Sequence, residues 1–184
     1  IVFNATASHM IITPYTLGVQ ADAKTKIYGT AADPALTYSH AALQNGDTDA
    51  VFTGDLIRTA GSNVGEYEID QGTLLAGTNY TIDFTEGDLD ITPYTLTVAA
   101  GPETKVYGSP EVDATYTHGA LQNGDLAEAV FTGELIRAPG ETVVGGPYAI
   151  ALGTLTAGIN YTIDYTGNNL VITPFGLSVN ANAQ

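Results

Sequence analysis

The 184-residue chain has no cysteine, no tryptophan and a single methionine, and its cationic side chains number five: Lys24, Lys26, Lys105, Arg58 and Arg137. Without cysteine there is no disulfide framework, no thiolate nucleophile and no thiolate metal ligand, and the compartment stays open. Acidic residues number 20, giving a formal net charge of −15. A surface so poor in positive charge repels phosphate backbones and anionic bilayers, which excludes nucleic acid as a partner. It favours solubility and could attract divalent cations, although a solvated acidic face is the plainer reading. No run is long and apolar enough to cross a membrane, so no membrane insertion is expected. Residues 1–8 lack the basic start and apolar stretch of a signal peptide. Ser8-His9-Met10 reads as an expression-vector scar, so residues 1–10 are set aside as a tag remnant, though Ile1-Val2-Phe3 could still pair as a strand.

What the chain does have is an internal repeat. Lys26-Ile-Tyr-Gly29 returns as Lys105-Val-Tyr-Gly108, and Leu43-Gln-Asn-Gly-Asp47 as Leu121-Gln-Asn-Gly-Asp125. Val51-Phe-Thr-Gly54 returns as Val130-Phe-Thr-Gly133, Leu56-Ile-Arg58 as Leu135-Ile-Arg137, Gly72-Thr-Leu74 as Gly153-Thr-Leu155, and Asn79-Tyr-Thr-Ile-Asp83 as Asn160-Tyr-Thr-Ile-Asp164. The spacing is 79 residues at Lys26, 78 at Leu43 and 81 at Asn79. The length changes fall in segments rich in Gly, Pro, Asp and Asn, where loops absorb them.

A second pattern marks the joints. Leu89-Asp-Ile-Thr-Pro-Tyr-Thr-Leu-Thr-Val98 has near-copies at Met10–Val19 and Leu170–Val179. Before each proline the apolar residues hold one parity (Ile12; Leu89 and Ile91; Leu170 and Ile172). After it they hold the other (Tyr15, Leu17, Val19; Tyr94, Leu96, Val98; Phe175, Leu177, Val179). Neighbouring strand residues face opposite ways, so a change of parity is a change of buried face. Proline cannot donate to a ladder and pushes its predecessor into an extended conformation. Each Thr-Pro is therefore read as a seam between the last strand of one domain and the first of the next. The expected division is residues 1–10 as remnant, 11–92 as repeat domain 1, 93–173 as repeat domain 2, and 174–184 as the first strand of a truncated third repeat.

Within each repeat the pattern predicts about seven short strands. In the first they fall at Tyr15–Gln20, Lys26–Tyr28, Leu36–His40, Val51–Arg58 with a bulge at Gly54, Tyr67–Ile69, Tyr80–Phe84 and Leu89–Thr92. Thr48–Ala50 and Leu126–Ala129 each suggest one helical turn. The fold class is all-β, two tandem small domains in an elongated arrangement, each sandwich-like, with a β-grasp-like sheet as the alternative. Expected core residues are Tyr28, Tyr38, Phe52, Ile57, Tyr67, Ile69, Tyr80, Ile82 and Phe84, matched by Tyr107, Tyr116, Phe131, Ile136, Tyr148, Ile150, Tyr161, Ile163 and Tyr165. Tyrosine suits domains this thin, because its ring packs while its hydroxyl reaches a polar partner.

Candidate chemistry is sparse. His40 beside Ser39, and His118 beside Thr117, have the residue types of a general base and a hydroxyl, but adjacent strand residues face apart and cannot share a proton. Repetition also argues for framework rather than catalysis, so no residue is assigned a catalytic role and no enzyme is expected. Asp88 with Asp90 and Asp47 with Asp49 are the candidates for calcium, yet no Asp-x-Asp-x-Asp-Gly loop is present and the second seam has Asn168-Asn169 instead. No cofactor and no metal site is assigned. Lys26 and Lys105, with Asn79 and Asn160, have the residue types of an intradomain isopeptide bond, but no buried acid is singled out. Asn79-Tyr-Thr81 and Asn160-Tyr-Thr162 match the glycosylation acceptor pattern, for which a strand-entry asparagine bonding backbone is the simpler account. Gly145-Gly146 reads as a hairpin turn.

The order Lys-x-Tyr-Gly, Asp33-Pro34, Leu36-Thr-Tyr38, Asn-Gly-Asp, Phe-Thr-Gly, Val64-Gly65-x-Tyr67, Gly-Thr-Leu, Asn-Tyr-Thr-Ile and closing Leu-x-Ile-Thr-Pro resembles the MBG (mostly beta, glycine-rich) repeats of large bacterial surface proteins. The resemblance covers residues 12–171, with Ser109-Pro-Glu-Val-Asp113 departing from the Asp-Pro step. It implies tandem arrays in secreted, adhesin-like proteins at the bacterial cell surface, acting as stalks that project a distal binding region. The partners expected are neighbouring repeats of the same chain, itself a monomer, with any surface ligand unknown. The alternative is an adhesive module that binds a carbohydrate or matrix protein directly.

Overall fold

The computed structural model of the chain describes residues 11–181, so the reading of residues 1–10, with its Ile1–Phe3 strand, and the chain past 181 lie outside the described residues. Two compact units divide them. One holds the residues up to Lys26 together with Thr30–Ile91, and the other holds Ile27–Gly29 together with the chain from Thr92 onward. No helix of the described residues is long and apolar enough to cross a membrane.

The first repeat contains seven strands: β1 (Tyr15–Ala21), β2 (Lys24–Ile27), β3 (Tyr38–His40), β4 (Ile57–Arg58), β5 (Gly65–Asp70), β6 (Tyr80–Thr85) and β7 (Gly87–Thr92). The second repeats the set as β8 (Tyr94–Ala100), β9 (Glu103–Val106), β10 (Tyr116–His118), β11 (Ile136–Arg137), β12 (Tyr148–Ala151), β13 (Tyr161–Thr166) and β14 (Asn168–Thr173). Among the described residues, helical structure amounts to a 3-10 turn at Asp49–Val51 and one α-turn at Ala127–Val130, where the sequence suggested single turns. The strands of each repeat separate into two sheets, β3-β1-β6 and β2-β7-β5-β4 in one, β10-β8-β13 and β11-β12-β14-β9 in the other. This is the sandwich-like division; a β-grasp would need one sheet crossed by a real helix.

In the three-stranded sheet the first strand is central. β1 pairs antiparallel with β3 and parallel with β6, in register from Tyr15↔Tyr80 to Gln20↔Thr85. β8 repeats this with β10 and β13, from Tyr94↔Tyr161 to Ala99↔Thr166. Strict alternation puts Leu17, Val19 and Ala21 inside and Thr16, Gly18 and Gln20 outside. Against Leu17 and Val19 pack Leu74, Ala76 and Tyr80, flanked by Tyr38, Phe52, Ile82 and Phe84. In the four-stranded sheet β7 turns Leu89 and Ile91 inward, and Leu170 and Ile172 of β14 join Tyr148. β7 ends at Thr92 and β8 begins at Tyr94, so one residue, Pro93, separates strands that bury opposite parities.

Several expectations change. Val51–Arg58 is not one strand. Val51 closes the 3-10 turn, Thr53 makes a single bridge to Leu75, and only Ile57–Arg58 is a strand. The break lies at Gly54, where φ is +84° and a Cβ would sit 2.1 Å from the carbonyl oxygen of Thr73; Gly133 meets Thr154 in the same way. A glycine is required there by the close approach, and the chain turns rather than bulges. Ile57 and Ile136, expected in the core, are 58% and 60% exposed, because the two-residue strands carrying them are sheet edges. Tyr107 is exposed as well, although its counterpart Tyr28 is buried. Ile12 is exposed and Tyr15 half-exposed, and Phe175, Leu177 and Val179 are exposed in a segment without strand pairing.

These assignments predict unequal costs. Leu89→Ala should lower stability by about 2–5 kcal/mol through lost burial and a residual cavity. Ile57→Thr, on an exposed edge, should cost less than about 1 kcal/mol. Chemical denaturation midpoints check the difference.

Candidate functional site

The most elaborate polar construction in each unit forms around the tyrosine that begins β6 or β13. Tyr80 and Tyr161 are buried, and a buried hydroxyl needs both a donor and an acceptor. The Leu-Gln-Asn-Gly-Asp loop supplies them. Gln44 N–H donates to the Tyr80 hydroxyl at 2.9 Å, and that hydroxyl donates to Asp47 Oδ2 at 2.8 Å. Gln122 N–H donates to the Tyr161 hydroxyl at 2.9 Å, which donates to Asp125 Oδ2 at 2.7 Å. The loop can curl around the phenol because Asn45 and Asn123 take φ of 54°, followed by a left-handed glycine at Gly46 or Gly124. Burial and, behind it, the Asp125 carboxylate push the Tyr161 hydroxyl up to about 12. A second ring stacks edge-on from the first strand: Tyr15 lies 6.3 Å from Tyr80, and Tyr94 lies 6.2 Å from Tyr161. Two repeat motifs far apart in sequence thus form one phenol–carboxylate nest.

The second construction is ionic. Lys26 Nζ lies 2.7 Å from Asp33 Oδ1, and Arg58 donates to Asp33 Oδ2 at 2.7 Å. In the second repeat Lys105 is buried, which the sequence did not indicate. Its ammonium lies 2.6 Å from Glu141 and 3.3 Å from Glu111, and Arg137 also pairs with both carboxylates. Glu111 therefore fills the place of Asp33, which resolves the departure from the Asp-Pro step. Arg58 sits over the Tyr67 ring at 5.4 Å and Arg137 over Tyr148 at 5.8 Å. The Arg137 guanidinium is the main reason the Glu111 carboxyl falls to about 2, and Lys105 lowers Glu141 in the same sense.

The other candidates disperse. On β3, Tyr38 and His40 are half-buried and Ser39 between them is exposed, so Ser39 and His40 face apart. His40 uses Nδ1 on the Ala41 carbonyl at 2.8 Å and Nε2 on Asp49 at 3.2 Å; its ring lies 4.9 Å from Phe52. His118 holds the Gly119 carbonyl at 2.7 Å and stacks on Phe131 at 5.1 Å. Both histidines pin the start of the next loop. Asn79 and Asn160 accept the N–H of Tyr15 and Tyr94 through their backbone carbonyls, while the two lysines meet carboxylates. Gly145 and Gly146 lie in the longer connection between the antiparallel β11 and β12, where Gly145 N–H donates to Thr142 Oγ1.

Nor do the calcium candidates converge: Asp47 serves Tyr80 and Asp49 serves His40. Asp88 and Asp90 stand opposite Glu68 and Glu66 across β5–β7. Among the described residues, carboxylates gather at Glu68, Asp70 and Glu86, their oxygens within 4.8 Å of one another. Three carboxylates, Glu68 and Glu86 exposed and Asp70 half-buried, fall short of the six to eight oxygens calcium takes. Their second-repeat counterparts are Ala149, Ala151 and Gly167, so the cluster is no part of the shared framework. Repulsion, from Glu86 first and Asp70 next, raises the Glu68 carboxyl.

Compared with known protein families, residues 17–90 and again residues 96–171 match the family model of the MBG domain (YGX type). No curated protein and no solved structure matches the chain.

The two kinds of carboxylate predict opposite pH behaviour. Glu111, lowered on folding from 4.5 to about 2, adds stability that is full above its unfolded value and lost as pH falls through that window. Glu111→Gln should therefore destabilise at pH 7, and the difference should vanish near pH 2. Glu68, raised on folding, carries a penalty at neutral pH that protonation relieves. Glu68→Gln should stabilise at pH 7 and lose that advantage on acidification. Both effects are trimmed by solvent screening and by salt. Thermal melts from pH 2 to 7 measure them.

Proposed function

The chain belongs to the MBG domain (YGX type) family, and on that premise we propose that its two repeats are spacer modules from the shaft of a large secreted bacterial surface protein. They hold a distal binding region away from the cell and perform no catalysis. What supports the reading above all is that the shared residues are framework residues. Each repeated motif finds its partner in another repeated motif: the Asn-Gly-Asp loop in the Tyr of Asn-Tyr-Thr-Ile, the Thr-Gly turn in Gly-Thr-Leu, and the Lys and Leu-Ile-Arg motifs in a common acid. The connection adds to this, because one proline between consecutive strands leaves far fewer free torsions than a Gly/Ser linker.

Small-angle scattering tests the spacer role. An elongated particle with a narrow distribution of end-to-end distances is expected, and a compact globule or broad flexing would overturn it. Glycan arrays and matrix-protein binding assays should be negative, and saturable binding to either would make the modules adhesive instead.

A further inference from the structure

Tyr28 and Tyr107 occupy the same position in the repeat and have opposite fates. Tyr28 is 3% exposed and Tyr107 is 51% exposed. The local backbone does not explain this. Tyr28 N–H bonds the Thr92 carbonyl and Tyr107 N–H the Thr173 carbonyl, both at 2.8 Å, and the glycines that follow have φ of +87° and +83°. The difference lies in what the side chain meets. In the second unit, which includes Ile27–Gly29, the Tyr28 ring stands edge-on to Tyr161 at 5.5 Å. Its hydroxyl donates at 2.9 Å to Asp125 Oδ2, the oxygen that also accepts from Tyr161. Gly29 rests against Gln122, where a Cβ would approach the glutamine side chain to 2.5 Å. The glycine after the tyrosine is thus needed for contact as well as for its left-handed backbone.

Among the described residues, the same nest in the first unit has no such occupant. Tyr15, Tyr80, Gln44, Asn45, Asp47 and Asn79 line an open cavity of about 320 Å³. Asp47 Oδ2 already takes the Tyr80 hydroxyl, as Asp125 Oδ2 takes that of Tyr161, and Tyr15 already flanks Tyr80 as Tyr94 flanks Tyr161. The second unit carries the complementary piece. Tyr107 and Gly108 border a largely apolar groove of about 620 Å³ with Val143, Phe175 and Leu177, and nothing stands within 4 Å of a Cβ built on Gly108. A donor with an exposed ring and an acceptor nest shaped for that ring are therefore both present, and unmatched among the described residues.

We infer that the nest at Tyr80 and Asp47 is a docking site for the Tyr-Gly segment of another copy of this repeat, and that Tyr107-Gly108 is the segment a copy presents. The contact is head-to-tail, so it extends rather than closes, and it can add copies in one direction without limit. Affinity between separate chains would be low, since within an array the covalent link supplies an effective concentration of about millimolar. The inference holds whether the repeats act as spacers or as binders, because it concerns how one copy receives the next.

The test is a titration followed by amide NMR at about 0.15 M salt, which screens repulsion between two acidic chains. An isotope-labelled Tyr107→Ala chain keeps an open nest and presents no tyrosine. Tyr107 is half-exposed, so the variant should melt like the parent. Adding unlabelled parent chain to about 1 mM, the effective concentration of a short link, should shift amides at Tyr15, Gln44–Asp47, Asn79 and Tyr80. Unlabelled Tyr107→Phe, which keeps the ring and loses the hydroxyl, should bind roughly three- to tenfold more weakly. Unlabelled Tyr107→Ala should produce no shifts. Absence of shifts with the parent chain, shifts centred elsewhere, or undiminished shifts with Tyr107→Ala would each overturn the inference.

Discussion

The satisfaction of one buried hydroxyl organises each unit. Tyr80 and Tyr161 start the strand that runs parallel to the unit's first strand, and their rings lie inside. A phenol so placed costs free energy unless both its donor and acceptor roles are met. The Asn-Gly-Asp loop meets them with one backbone N–H and one carboxylate, and does so only in a backbone with two successive left-handed residues. Loop, strand start and the register of the parallel ladder are therefore one requirement, which explains why the same residues return in both repeats despite length changes between them.

A large part of this was legible in sequence and some of it was not, for identifiable reasons. Alternation across Thr92-Pro93 marked Leu89, Ile91, Leu96 and Val98 as inward, and all four are buried. Strand positions followed from short alternating runs between turn residues. What the pattern missed depends on neighbours rather than on the residue. Ile57 and Ile136 look like core residues but lie on two-residue edge strands, while Leu74 and Ala76 come from a turn and bury themselves in the core. Lys105 gives no sign in sequence of being buried, because its partners Glu111 and Glu141 lie in loops of uneven length. Repetition also suggested equal roles for Tyr28 and Tyr107, whereas burial is set by what faces a side chain.

The ionic groups show how a repeat tolerates change. Asp33 in one copy and Glu111 in the other stand at different points of differently built loops, yet each carboxylate joins the Lys and the Arg of its repeat. The requirement is that an acid reach this place, not that the turn delivering it be preserved. Much of the remaining negative charge has no such duty. Glu66, Glu68, Asp88 and Asp90 face like charges across β5 and β7, a cost to folding.

The parallel ladder has a mechanical corollary. A pull on the chain enters a repeat at the N-terminal end of β1 and leaves it through β7, which follows directly from the C-terminal end of β6. Because β1 and β6 run the same way, those two ends are opposite ends of the ladder, and the load slides the strands along each other. The evenly spaced, slanted bonds of a parallel pair then strain together instead of parting one after another, as they would in a hairpin pulled from its open end. Such a repeat yields by shear, all at once, rather than strand by strand.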